Sequence, residues 1–172
     1  MRAFLAVEIP ESISKNFSRL ELPKGMRPVS TKSMHITLKF LGDINEDKAT
    51  EISGVLGAIE FFPFPLVCKG LGTFPNEFSP RILWAGIESP GLLELHSRIS
   101  PKLEQLGFEK EQFTPHLTLA RAKEKVQLST LLEKHRSEPF GDCAINLFSL
   151  KKSTLTPNGP IYEDIHIFLA NK

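Results

Sequence analysis

Two short segments carry residue types suited to proton transfer: His35-Ile36-Thr37-Leu38 and His116-Leu117-Thr118-Leu119. Histidine has an ordinary pKa of about 6.5, so near neutral pH one imidazole can give a proton while another takes one. Cleavage of a phosphodiester asks for such a pair, a base for the nucleophile and an acid for the departing oxygen. A strained cyclic phosphodiester is within reach of that pair without a metal. Charge building on phosphorus needs donors, which the hydroxyls of Thr37 and Thr118 or the cations Lys39 and Arg121 can supply. On a strand, residues i and i+2 share a face. His35, Thr37 and Lys39 are therefore expected on one side, with Ile36, Leu38 and Phe40 on the other. His116 and Thr118 should likewise oppose Leu117 and Leu119.

One His-x-Thr triplet would carry little weight. Two, each followed by leucine, point to a single shared site. The remaining histidines do not suggest a metal, because none of His96, His135 and His166 forms a pair with ligand spacing. His96 and His135 fall on expected helix surfaces. His166 shares an expected strand face with Tyr162, and both would line a cleft if Ile161, Ile165 and Ile167 are core. Phe4 lies with Arg2 on the strand face opposite Leu5, Val7 and Ile9, where its ring could stack a terminal base. Trp84 has a weaker claim to that role.

Positioning two such motifs requires a repeated framework. A strand over residues 2–9 and a helix from residue 10, with Ile13, Phe17 and Leu20 on one face, precede the first motif. A strand over 81–87 and a helix with Leu92, Leu95, Ile99, Leu103 and Leu106 precede the second. Pro101 inside that helix suggests a kink or a break. Helices over 46–59 and 126–135 follow the motifs, then strands over 65–74 and 142–155, with a closing strand over 161–169. The expected fold is α+β. Two pseudo-symmetric lobes each hold a small, mostly antiparallel sheet with helices on its outer face, and the active-site cleft lies between them. The chain is expected to be one domain over 1–172, duplicated internally as 1–80 and 81–172.

The totals agree with a globular protein, at 172 residues, 41% hydrophobic and 24% charged. A net charge of +1 argues against a general duplex binder and leaves room for a local basic cleft. No apolar run is long enough to span a bilayer. Cys68 and Cys143 are far apart; a disulfide stays open on sequence alone, with two reduced thiols in the cytoplasm the expectation.

The paired motifs, set about 80 residues apart, resemble those of the two-histidine (2H) phosphoesterases. The branch most similar is that of the RNA 2′,3′-cyclic phosphodiesterases, also called 2′-5′ RNA ligases. Arg2-Ala3-Phe4-Leu5-Ala6-Val7 resembles that family's opening strand. His35 to Gly42 and Phe113 to Arg121 resemble its two signatures, and Ser153 to Tyr162 its C-terminal segment. The resemblance implies hydrolysis of an RNA 2′,3′-cyclic phosphate to a 2′-phosphate, with no cofactor and no metal. It implies His35 as proton donor to the 3′-oxygen and His116 as proton acceptor from water. Thr37, Thr118 and Arg121 would hold the phosphate, with Lys39, Phe4 and Tyr162 as further substrate-binding residues. The reverse reaction would join RNA halves, tRNA halves among them, through a 2′-5′ link. The expected protein is a cytoplasmic monomer acting on RNA ends, with no membrane partner. The rival readings are a non-catalytic nucleotide- or RNA-binding 2H domain and a 2H enzyme for a small cyclic nucleotide or ADP-ribose cyclic phosphate.

Overall fold

Nine strands form two antiparallel sheets, described over residues 1–172 in a computed structural model. In chain order the elements are β1 (Arg2–Glu8), α1 (Glu11–Ser14), β2 (Met26–Pro28), β3 (His35–Asp43), α2 (Glu46–Gly57), β4 (Phe64–Phe74) and β5 (Ile82–Glu88). They continue as α3 (Pro90–Gln105), β6 (His116–Ala122), α4 (Ser129–Lys134), β7 (Pro139–Ile145), β8 (Leu147–Thr156) and β9 (Gly159–Leu169). One sheet has the order β3-β1-β8-β9 and the other β2-β6-β5-β4-β7. The α+β architecture with two antiparallel sheets is the one expected.

Local chemistry starts the long helices where the sequence says it should. The Asn45 side chain accepts a hydrogen bond from the Lys48 amide at 2.8 Å, and Glu46 and Asp47 face the positive end of α2. Ser89 Oγ accepts from the Leu92 amide and donates to the Pro65 carbonyl, so one hydroxyl caps α3 and ties it to β4. Pro101 does not break α3, which runs on to Gln105. Ile99 and Leu103, on either side of it, are buried, and that stripe outweighs one lost backbone bond. Residues 126–135 form a shorter helix than expected, α4.

The lobes do not coincide with the halves of the chain. β4 crosses to pair with β5, and β8 and β9 cross back so that β8 pairs with β1. The expected single strand over 142–155 is two strands, β7 and β8, which belong to different sheets and part at Asn146. Each sheet has the same plan, a central strand (β1 or β5) flanked by a motif strand (β3 or β6) and a crossing strand (β8 or β4). A single cluster of 36 buried residues runs through both lobes, so they share one core.

Both motif strands are interrupted at the same place. In β3, Thr37 lies opposite Ala6 while Lys39 lies opposite Leu5, so Leu38 is an extra residue. In β6, Thr118 lies opposite Trp84 while Ala120 lies opposite Leu83, so Leu119 is extra. A bulge of this kind reverses which face the following side chains occupy. The strict alternation expected from Lys39 onward therefore fails. Lys39 turns to the core side with Leu5, and Phe40 and Arg121 turn to the face of His35 and His116.

Because the first sheet needs β8, a fragment of residues 1–80 should not fold alone, whereas the intact chain should melt cooperatively. Circular dichroism during heating checks this; a cooperative transition in the isolated fragment would contradict the exchanged sheets.

Candidate active site

Each motif histidine is fixed by its own backbone. His35 Nδ1 lies 2.8 Å from the Ser33 carbonyl oxygen, and His116 Nδ1 lies 2.9 Å from the Thr114 carbonyl oxygen. A carbonyl only accepts, so Nδ1 is the donor in both rings and Nε2 is left for the cleft. The bond reaches back two residues in each case, and each imidazole stands at the start of its strand. Residue types alone do not single out these two carbonyls, since a side-chain motif has no mark for a backbone acceptor.

Aromatic rings brace both imidazoles. His35 packs against Phe4 at 4.9 Å between ring centroids and edge-on to Tyr162 at 5.1 Å. His116 meets Phe74 edge-on at 5.0 Å and lies 6.5 Å from Trp84. Phe4 is only 3% exposed, with His35, Phe40 and Tyr162 around it. It has no free face for a base, and the expected stacking role for Phe4 is corrected to support of the His35 ring. Trp84 lies across Gly72, where a Cβ would stand 2.2 Å from the indole, and its buried Nε1 has no partner.

Thr37 and Thr118 are half-buried and share the faces of their histidines. Arg121 reaches that face only because Leu119 bulges, and its charge is felt at His35 across the cleft. Lys39 is a correction. Its Nζ donates to the Glu109 carbonyl at 2.8 Å and pairs with Glu111 at 3.0 Å, away from His35 and Thr37. It holds the segment leading to His116. His96 serves the same segment by stacking on Phe113 at 4.1 Å, half-buried where solvent exposure was expected. His135 is half-buried too, its ring bonded to Glu138.

Tyr162 takes its place beside His35, but His166 does not. The β8–β9 register slips at Ile165, so His166 lies opposite the buried Leu150, with its ring 4.6 Å from Phe168. Ile161, Ile165 and Ile167 are exposed, not core.

A charged group missed in the sequence adjoins His35. Lys151, 4% exposed, donates to Glu8 at 2.5 Å and to Asp164 at 2.7 Å, joining three strands of the first sheet. Burial alone would lower its pKa; the hydrogen bonds to the two carboxylates outweigh that and hold it above the usual lysine range. Its sequence signal is slight, one lysine beside the core residues of a strand. Lys151, Glu8, His35, Ser33 and Tyr162 line a pocket of about 270 Å³.

The His35 pKa lies below its ordinary value. Burial is the main cause, the Ser33 hydrogen bond opposes it, and Lys151 and Arg121 lower it further against the counter-pull of Glu8. Burial pushes the Cys68 thiol up to about 12, and both cysteines are free thiols. No helix is long and apolar enough to cross a membrane.

The arrangement is thus two imidazoles from two lobes with Nε2 free, two hydroxyls and a guanidinium on the same faces. Comparison with known proteins identifies the family. The family model described as LigT like Phosphoesterase matches residues 4–84 and 87–162. A protein of Methanocaldococcus jannaschii named RNA 2′,3′-cyclic phosphodiesterase is 41% identical, over 96% of this chain and 98% of its own. One of Archaeoglobus fulgidus with the same name is 38% identical, over 98% and 99%. Among solved structures, a Thermus thermophilus protein superposes with a TM-score of 0.84 at 30% identity, covering 98% of this chain and 97% of its own. Escherichia coli LigT complexed with 3′-AMP superposes at 0.82 with 26% identity, covering 99% and 98%. With both halves of the sequence matched and the similarity running end to end, this chain belongs to the LigT-like phosphoesterase family.

Proposed function

We propose that the protein hydrolyses RNA 2′,3′-cyclic phosphate ends to 2′-phosphates by proton transfer between two histidines. The observation that carries this reading is the shared Nδ1–carbonyl bond, which leaves Nε2 of both motif histidines without a protein partner. The relatives named RNA 2′,3′-cyclic phosphodiesterase, and the E. coli neighbour complexed with 3′-AMP, support the choice of substrate.

His116 takes a proton from water as the water oxygen bonds to phosphorus. The bond from phosphorus to the 3′-oxygen breaks, and His35 gives its proton to that oxygen. The product is a 2′-phosphomonoester, and solvent restores both imidazoles. Thr37, Thr118 and Arg121 hold the phosphate oxygens on which charge builds. Tyr162 offers its ring to the terminal base. A 5′-hydroxyl in place of water would attack phosphorus in the same way, expel the 3′-oxygen and join RNA halves, tRNA halves included, through a 2′-5′ link. The enzyme works as a monomer, in the cytoplasm, where its two free thiols stay reduced.

Short RNAs ending in 2′,3′-cyclic phosphate, incubated with the protein and EDTA, should yield the 2′-monoester; a 3′-monoester would overturn the leaving-group assignment. His35→Ala and His116→Ala should each nearly abolish turnover, and the double variant should be little worse than either, since one act needs both groups. On an aryl phosphodiester whose leaving oxygen needs no proton, His35→Ala should recover and His116→Ala should not. Mild, additive losses would separate the two histidines.

Arg121→Ala should slow turnover on the order of a hundredfold to a thousandfold, the cost of one transition-state donor. A wild-type rate would remove Arg121 from the phosphate site.

The lowered His35 pKa fixes where its acid form exists. The protonated ring is lost as pH rises through that pKa, so an NMR titration of the free protein should show the His35 imidazolium disappearing with a midpoint below pH 6.5. A bound phosphate anion favours imidazolium, so a nucleoside 2′-phosphate should move that midpoint upward. A midpoint above pH 6.5 in the free protein, or one that the bound phosphate leaves unmoved, would contradict His35 as the acid.

A further inference from the structure

We propose that Phe40 and Arg2 form a subsite for the RNA chain upstream of the reacting end. Phe40 stacks a base and Arg2 meets a backbone phosphate. The inference rests on the reading of the substrate as RNA.

Three observations carry it. The paired bulges make Phe40 the counterpart of Arg121, the residue three beyond the motif threonine in the other lobe. It therefore occupies the active-site face, opposite Phe4 across the strand pair, and the two rings lie 6.3 Å apart. Phe4 is sealed beneath its neighbours, while Phe40 is 63% exposed. Simple alternation would have buried it with Ile36 and Leu38.

Arg2 shares this face. It lies two residues before Phe4 on β1, opposite Ser153, which in turn lies opposite Tyr162 on β9. Asp43 is its partner on β3, yet Arg2 takes part in none of the protein's salt bridges. The guanidinium stays exposed and available.

An open aromatic ring beside an unpaired cation, continuous with the catalytic cleft, suits single-stranded nucleic acid. Every base has a face to stack, and each nucleotide brings one phosphate. Along the β1–β3 pair His35 lies opposite Glu8 and Phe40 opposite Phe4, so Phe40 stands further along the strands from the reacting phosphate. Tyr162, against His35, is nearer the terminal nucleotide. Phe40 is thus placed for a nucleotide further along the chain. The subsite should make the enzyme prefer an RNA over a mononucleotide, with little dependence on base identity.

The test compares a nucleoside 2′,3′-cyclic phosphate with a trinucleotide ending in the same group. In Phe40→Ala the ratio of kcat/KM for the trinucleotide to that for the mononucleotide should fall roughly 10- to 100-fold, and Phe40→Trp should restore it. Arg2→Gln should make the salt slope of trinucleotide binding shallower by about 0.7, one single-strand phosphate contact. Binding of a fluorescent trinucleotide 2′-phosphate gives a readout independent of turnover. If the wild type turns over neither substrate yet Phe40→Ala still weakens that binding, the catalytic reading fails and the subsite stands. An unchanged ratio with unchanged trinucleotide binding, or equal losses on both substrates, overturns the proposal.

Discussion

The hydrogen bond from each imidazole to the carbonyl two residues before it is the constraint on which the site depends. A histidine at the start of a strand could present either nitrogen. Bonded through Nδ1 to Ser33 or Thr114, each ring has one tautomer when neutral and one free donor, Nε2, when charged. The aromatic braces, Phe4 and Tyr162 on one side and Phe74 and Trp84 on the other, then limit the tilt of the rings. Proton transfer demands alignment within hydrogen-bond reach, and these contacts fix the orientation of both rings without any ligand.

The exchange of strands puts those two rings into one rigid body. If each half of the chain made its own lobe, the cleft would lie between units free to move apart. Instead β4 builds the second sheet, β8 and β9 complete the first, and Lys39 reaches from β3 to the segment before His116. The exchange demands long-range pairing, which raises the entropy cost of folding. What it secures is a fixed relation between the two imidazoles.

Much of this is legible in the sequence. The repeated His-x-Thr-Leu marks both motif strands, the 3.6-residue stripes mark α2 and α3, and both threonines face as alternation says. The departures at Lys39, Arg121 and His166 share one physical cause. Sequence alternation assumes an unbroken pleat, and extra residues at Leu38, Leu119 and Ile165 break it. Lys39, expected in the cleft, therefore lies outside it. Arg121, which alternation alone would set with Leu117 and Leu119, enters the cleft, and His166 turns away. Lys151 escapes notice because its partners, Glu8 and Asp164, come from strands whose pairing only the fold decides.

Nitrogen-15 NMR of the imidazole rings tests the central claim most directly. Both His35 and His116 should show a protonated Nδ1 in the neutral state, and one equivalent of a nucleoside 2′-phosphate should move both Nε2 resonances together. An Nε2-protonated tautomer in either ring, or a ligand that moves one ring and leaves the other, would contradict a single site built from two lobes.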